Sequence, residues 1–475
     1  MQLAALVVWV IYWMVLYPKN VFETLPSNGL VRFYEPMNKE VLLATRTEVV
    51  KEMFSLKPND FGHPKNVQFM ISQLTGSKFN FLSPHGHTIF RKNLRPAFTT
   101  GNIRKTMPLV WDKADRMIQL IRAELQETSN PRRVVDLRDY IRRTMWDISG
   151  LITLNHDFQT LEKPAAGAKE RFSGVLRSLS SSVIKWGYFI INYLDVRPLF
   201  AVLSPLLMKS SAGRALVQIR STIRQAVGKR KSAFQAAGKS ASADDLGTDI
   251  TSVSIASGVF PTEELVDNGM LFLTAGPNST GTAVEWAIYE LARHPEMQTR
   301  LRQEINACFS STKSESGTEL PPNLQSLPYL RAICNEVIRY YPFVPMSPRV
   351  AERDTTLLGE HIPKGTIILT VVEAFNRDKS LWGADAEVFN PHRWLGDREG
   401  SGGAVNNYAM LSFGAGPGAC IGQNYARAMM ACMVAALVRG FEIELANAET
   451  AGKLRAAPFK QSEEGMFARL KVLRQ

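Results

Sequence analysis

The chain has 475 residues, 45% of them apolar, and carries a net charge of +12. That apolar content supports a sizeable core and excludes global disorder. Four cysteines without a Cys-x-x-Cys pair exclude a disulfide scaffold and a structural zinc site, and they point to a reducing compartment. The basic balance fits an anionic membrane surface or an acidic protein partner. No nucleic-acid motif accompanies it, so nucleic acid is not expected as a partner.

Leu3 to Tyr17 is almost wholly apolar, with no basic residue before it and Lys19 just after. It is short for a bilayer that takes about 20 residues, but its tryptophans and tyrosines extend it into the interface. Residues 1–18 therefore read as one transmembrane anchor, with residues 19–475 on the cytosolic side; a buried N-terminal helix is the alternative. Asn28 to Val49 reads as sheet, with two apolar runs across a polar turn. In Pro84 to Phe98, His87 and Arg91 are four apart and share a helical face, a spacing that suits an anionic group. Two surface residues would look the same. Residues 100–240 are mostly helical in pattern, and the Lys-, Ser-, Ala- and Gly-rich Gly228 to Asp245 reads as a solvated connection.

Glu263 to Ala292 is a long helical run, with Thr262 behind Pro261 as its expected cap. Gly276 and Pro277 in its middle predict a kink that exposes carbonyls and the side chains of Asn278, Ser279 and Thr280. Arg331 to Tyr340 carries Glu336 and Arg339 on one face. Short β-like segments follow at 349–351, 355–358 and 366–372, and then the proline-bounded turn Phe389 to Trp394, which holds Arg393. Phe413 to Gly422 reads Phe-Gly-Ala-Gly-Pro-Gly-Ala-Cys-Ile-Gly, a tight loop whose backbone can approach something flat and bulky. Gln423 to Val438 is helical in period, so Cys420 sits just ahead of a helix N-terminus, where partial positive charge favours a thiolate. A thiolate in a glycine loop suits a haem iron; a buried cysteine at a sharp turn is the plain alternative.

The cysteine loop resembles that of the cytochrome P450 family. The His87/Arg91 pair, the kinked run, the Glu336/Arg339 pair, the Arg393 turn and the cysteine loop also stand in that family's order. The resemblance implies a mainly α single domain with small β-sheets, here behind an N-terminal transmembrane helix, and haem b as cofactor. It implies Cys420 as the iron ligand with Phe413 beside the sulfur. His87, Arg91 and Arg349 match the propionate-binding positions, and Glu336, Arg339 and Arg393 match a buried ion-pair network. Asn278, Ser279 and Thr280 match the distal, catalytic positions. It further implies two electrons from NADPH through a flavoprotein reductase, membrane lipid as a partner, and the endoplasmic reticulum membrane as location. The loop and Ile362 to Thr366 look most like fungal members that tailor hydrophobic natural products.

The chain departs from the family at three places. Asn278 stands where an acid is usual and Ser279 where a threonine is, so one titrating group of a proton relay is missing. Gly418 stands where a basic residue usually reaches a propionate. The passage from the anchor to Gly29 is short, so the usual proline-rich hinge and first helix are expected to be partly absent. A monooxygenase acting on a hydrophobic small molecule is the leading reading. A reductase-independent haem-thiolate isomerase or dehydratase, and a non-catalytic haem-binding protein, are the alternatives. Lys92, Arg95 and Arg427 are candidates for docking the reductase. The segments around 69–81, 189–207 and 343–346 are expected to line an apolar pocket.

Overall fold

The computed structural model describes residues 28–35, 39–76, 84–127, 134–162, 211–237, 247–311, 320–321, 324–398, 400–447, 452 and 465–473. The expected anchor at 1–18 and the pocket segment 189–207 lie outside the described residues, as do 77–81 of the segment 69–81 and 238–245 of the expected connection. Among the described residues no helix is long and apolar enough to cross a membrane.

Among the described residues ten strands make three sheets. The largest joins β1 (Leu30–Glu35), β2 (Lys39–Ala44), β3 (Phe61–Gly62), β5 (Met346–Ala351) and β8 (Ile367–Val371) in the order β1-β2-β8-β5-β3. Its β2/β8 pair is parallel and the other pairs are antiparallel. The second sheet places β10 (Phe467–Val472) between β4 (Val134–Asp136) and β9 (Phe441–Leu445), and the third pairs β6 (Thr355–Leu357) with β7 (Glu360–Ile362). The expected hairpin is β1–β2 with Leu30 opposite Ala44. It ends earlier than the sequence suggested, because Thr47 to Lys51 turns helical and buries Val49 and Val50.

The helices in chain order are α1 (Thr47–Lys51), α2 (Lys65–Thr75), α3 (Pro84–Leu94), α4 (Thr100–Gln126), α5 (Leu137–Leu154), α6 (Ser211–Ala237) and α7 (Ile250–Ala256). They continue as α8 (Thr262–Arg293), α9 (Pro295–Ser310), α10 (Pro328–Tyr340), α11 (Val372–Arg377), α12 (Lys379–Trp382) and α13 (Gln423–Gly440). Side-chain caps fix the starts of α4 and α5: Thr99 Oγ1 accepts from the Asn102 amide and Asp136 from the Arg138 amide. The main core gathers α4, α5, α8, α9, α10 and α13, and α13 buries every residue from Ala428 to Val438. Small residues set how closely these helices cross. A Cβ on Gly440 would come within 2.9 Å of Ile118 in α4.

Two sequence expectations need correction. Gly228 to Ala237 is helix, because Ile219, Ile223, Val227 and Phe234 carry an apolar stripe through α6 that packs on α8, while Arg220 and Arg230 pair with the buried Asp267 and Asp249. Thr262 is the first residue of α8 and makes no cap bond; its hydroxyl accepts from Lys231 Nζ at 2.9 Å. Gly276 and Pro277 lie inside one continuous 32-residue helix, the single helix that the long apolar flanks led one to expect.

Candidate active site

The Cys420 loop is shaped by its backbone. The Cys420 amide donates to the Phe413 carbonyl at 2.7 Å, and the Gly414 amide donates to Leu411 at 2.8 Å. Gly414 and Gly416 take left-handed φ values of 71° and 63°, where a side chain is strained. Gly416 has a second reason to be glycine: a Cβ there would lie 2.1 Å from the Phe54 carbonyl oxygen. Phe54 belongs to a π-helical turn, Glu52–Leu56, that buttresses the loop from outside. The Arg427 guanidinium sits 4.6 Å over the Phe413 ring while its Nε donates to Asn335. Arg427 is thus spent on the loop's inner support, and of the docking candidates only Lys92 and Arg95 are exposed.

The sulfur has an uneven environment. Cys420 keeps open surface, yet burial pushes its thiol up, against the Gly422 N–H, Arg91 and Arg427, which pull it down. Open surface on a desolvated group means that it faces an enclosed hollow. The helix start at α13 was expected to favour a thiolate; burial is the larger influence on the thiol. Helix α8 comes to the same region through Phe272 and Phe98, which lies by Gly422 beside the sulfur, and on α8 Ala275 is exposed although Pro277 and Thr280 nearby are buried. An aromatic wall joins the two sides. Phe272 of α8 meets Phe98 at 5.4 Å and Phe90 at 6.0 Å, and Phe98 meets Tyr425 of α13 edge-on at 5.6 Å.

Ser279 lies one turn after Ala275 on the same face, and its hydroxyl donates to the Ala275 carbonyl at 2.8 Å. Asn278 Nδ2 donates to the Thr274 carbonyl at 3.3 Å. Thr280 falls about 140° round the helix from Ala275 and is buried, next to Gly281, which packs on Met145 and Ile141 of α5.

Basic groups from three elements converge beside the loop. Arg91 of α3 donates to the Ala419 carbonyl, so α3 lies against the cysteine loop. His87, one turn earlier, is held below its ordinary value by burial and by Arg91 and Arg349. Arg349 of β5 is pushed down to about 10 by burial, and its guanidinium stacks 4.6 Å from the Phe54 ring. Its Nη1 meets His63 Nδ1 at 3.3 Å. Burial, Arg349 and His87 hold His63 down to about 3. Burial and neighbouring basic groups act on His63 and His87, and burial acts on Arg349. Such a cluster calls for an anion. A soft sulfur donor, a glycine loop, an aromatic wall and a cationic rim together fit a flat iron macrocycle that bears carboxylates.

The loop is braced by a buried ion-pair network. Glu336 takes two bonds from Arg339, at 2.7 and 2.8 Å, and others from Arg393 Nε at 3.2 Å and Trp394 Nε1 at 2.9 Å. Arg339 also donates to the carbonyls of Asn376, Ala386 and Val388. Asn376 carries the brace to the loop, because its Oδ1 accepts from the Leu411 amide and its Nδ2 donates to Ser412. Sequence reasoning missed Asn376, Phe54 and His63. None sits in a local pattern; only the sheet pairing of β3 with β5 brings His63 to Arg349.

The cytochrome P450 family model matches residues 14–457. The chain is similar to cytochrome P450 monooxygenase FSL4 of Gibberella zeae, at 35% identity over 471 residues that cover 96% of this chain and 84% of that protein. It is similar to cytochrome P450 monooxygenase sphH of Aspergillus fumigatus at 34% over 456 residues, covering 95% and 82%. Cytochrome P450 monooxygenase FUM15 of Gibberella moniliformis is 29% identical over 465 residues, covering 88% and 76%.

Proposed function

The chain belongs to the cytochrome P450 family of monooxygenases, and from that premise we propose that it inserts one atom of molecular oxygen into an apolar natural-product intermediate of secondary metabolism. The Cys420 sulfur is the iron ligand, and Arg349, Arg91 and His87 bind the haem carboxylates. When bound, haem supplies oxygen activation, which thiolate donation assists by favouring O–O cleavage.

The chain's own side chains do the rest. The Gly422 N–H bonded to Cys420 tempers how strongly the sulfur donates. Phe90, Phe98 and Phe272 keep water from that side of the hollow. The Ser279 hydroxyl donates to Ala275 but keeps lone pairs free, so it can hold a water and turn that water's proton toward the hollow. Asn278 orients that turn of α8 without titrating, and buried Thr280 holds the turn against α5. Electrons come from an NADPH-dependent flavoprotein reductase that docks at the exposed Lys92 and Arg95. Residues 1–18 anchor the protein in the endoplasmic reticulum membrane, with the domain 19–475 on the cytosolic side.

One observation carries this reading: a desolvated sulfur, bonded to the Gly422 N–H, opens onto a hollow edged by Arg91, His87 and Arg349. The test is the difference spectrum of the reduced protein with carbon monoxide. The family's characteristic band is expected, and it disappears in Cys420→Ala. A band that survives this exchange rules out the assignment. The lost acid at Asn278 favours a second reading, a haem-thiolate isomerase or dehydratase, which would turn over substrate without NADPH and reductase.

A further inference from the structure

Position 418 contributes no side chain to the rim of the site. A Cβ built on Gly418 would meet nothing within 4 Å, so a long basic side chain would have had room. The charge that this position would supply must come from elsewhere or be lost.

The sheet offers a replacement. Strand β3 pairs with β5 through Phe61 opposite Ala351 and Gly62 opposite Val350, which sets His63 beside Arg349. A guanidinium has only donors, so in the 3.3 Å contact Arg349 Nη1 donates and His63 Nδ1 accepts. The ring hydrogen is therefore on Nε2, at the far side of the imidazole. The two side chains act as one unit. The Phe54 ring holds the guanidinium from beneath, and Ser347 Oγ and the Pro348 carbonyl also accept from the same Nη1, at 3.1 and 3.0 Å. His63 itself is anchored by its backbone, whose carbonyl accepts from Gln68 Nε2 at 2.7 Å.

We propose that His63 donates its Nε2–H to a haem carboxylate alongside Arg349, taking over from the β3–β5 ladder the contact that Gly418 cannot make from the cysteine loop. The inference rests on the haem-thiolate reading above. Burial and the neighbouring cations keep the imidazole neutral near neutral pH, so His63 adds a directed N–H and Arg349 adds the charge. This division lets two basic groups lie 3.3 Å apart without repelling each other.

The experiment measures haem loss from the full-length holoprotein to excess apomyoglobin. His63→Ala should release haem about tenfold faster, the size expected of one hydrogen bond to a charged group. His63→Gln, which keeps an N–H donor, should stay close to the unaltered rate. Gly418→Arg added to His63→Ala should restore retention, which a purely structural role for His63 would not allow. His63→Leu fills the space without a donor and serves if the alanine form does not fold. A haem-loaded His63→Ala or His63→Leu protein that loses haem at the unaltered rate, or a double variant that shows no rescue, overturns this inference alone. An unaltered chain that purifies without haem overturns the haem-thiolate reading with it.

Discussion

At the residue scale, Ser279 and Thr280 are neighbours in sequence with opposite surroundings. Ser279 shares the face of exposed Ala275, whereas Thr280 is only 3% exposed, next to Gly281, which packs on α5. On the proposed reading, the hydroxyl that meets the hollow is therefore the serine's. A hydroxyl bonded to a carbonyl four residues back stays in one rotamer, so the water it holds is placed rather than mobile. Ser279→Ala removes that placement and leaves oxygen consumption running toward peroxide. With a turned-over substrate and reductase, product per NADPH is expected to fall by about tenfold, less than the roughly hundredfold or more that a proton-transferring side chain itself supplies, because the serine only places the water. Peroxide per NADPH rises to match. If Thr280→Ala uncouples the reaction and Ser279→Ala does not, the role belongs to Thr280, and α8 is turned otherwise than its burial pattern implies.

At the element scale, α10 matters through what it ties together. Glu336 and Arg339 are both fully buried, and with Arg393, Trp394 and Asn376 they link α10, α11 and the turn Pro391–Trp394 to the residues just before Phe413. A buried pair of charges is no guarantee of net stability, but removing one partner strands the other. Glu336→Gln keeps the shape and leaves Arg339 and Arg393 facing a neutral amide. The expected loss is about 3–5 kcal/mol in denaturant unfolding, together with a lower fraction of haem-loaded protein, because the brace ends at the Cys420 loop. A denaturation midpoint equal to that of the unaltered chain would show that the network is not needed. The sequence showed Glu336, Arg339 and Arg393 because two of them are one helical turn apart and the third stands in a proline-bounded turn. It could not show Asn376, whose three partners lie about 35 residues away along the chain. The long helices were legible wherever apolar period was strong, as in α8 and α13. The C-terminal part of α6 was misread because its polar face is dense in Lys, Ser and Ala, while the stripe that buries it is sparse.

At the scale of the whole molecule, the +12 charge becomes specific only where it lies near the chemistry. Most basic side chains close to Cys420 are turned inward: Arg91 binds the Ala419 carbonyl, Arg427 stacks on Phe413 and Arg349 on Phe54. Lys92 and Arg95 are exposed on the same short stretch of α3 and the turn after it. They lie one and four residues past Arg91, on the outside of the wall that Arg91 fixes to the cysteine loop. A partner that delivers electrons gains from approaching there, because transfer falls with distance from the sulfur. Charges at such a rim act mainly on the rate of encounter and are screened over about 10 Å at 0.1 M salt. Reversing both, Lys92→Glu with Arg95→Glu, is therefore expected to raise the reductase concentration needed for half-maximal turnover on the order of tenfold at low salt. The gap should close as salt is added, and the carbon monoxide spectrum should stay unchanged, since neither side chain reaches the hollow. A gap that persists at high salt would mean that the exchanges disturbed α3 itself, and equal reductase demand at every salt concentration would place the docking face elsewhere on this basic surface.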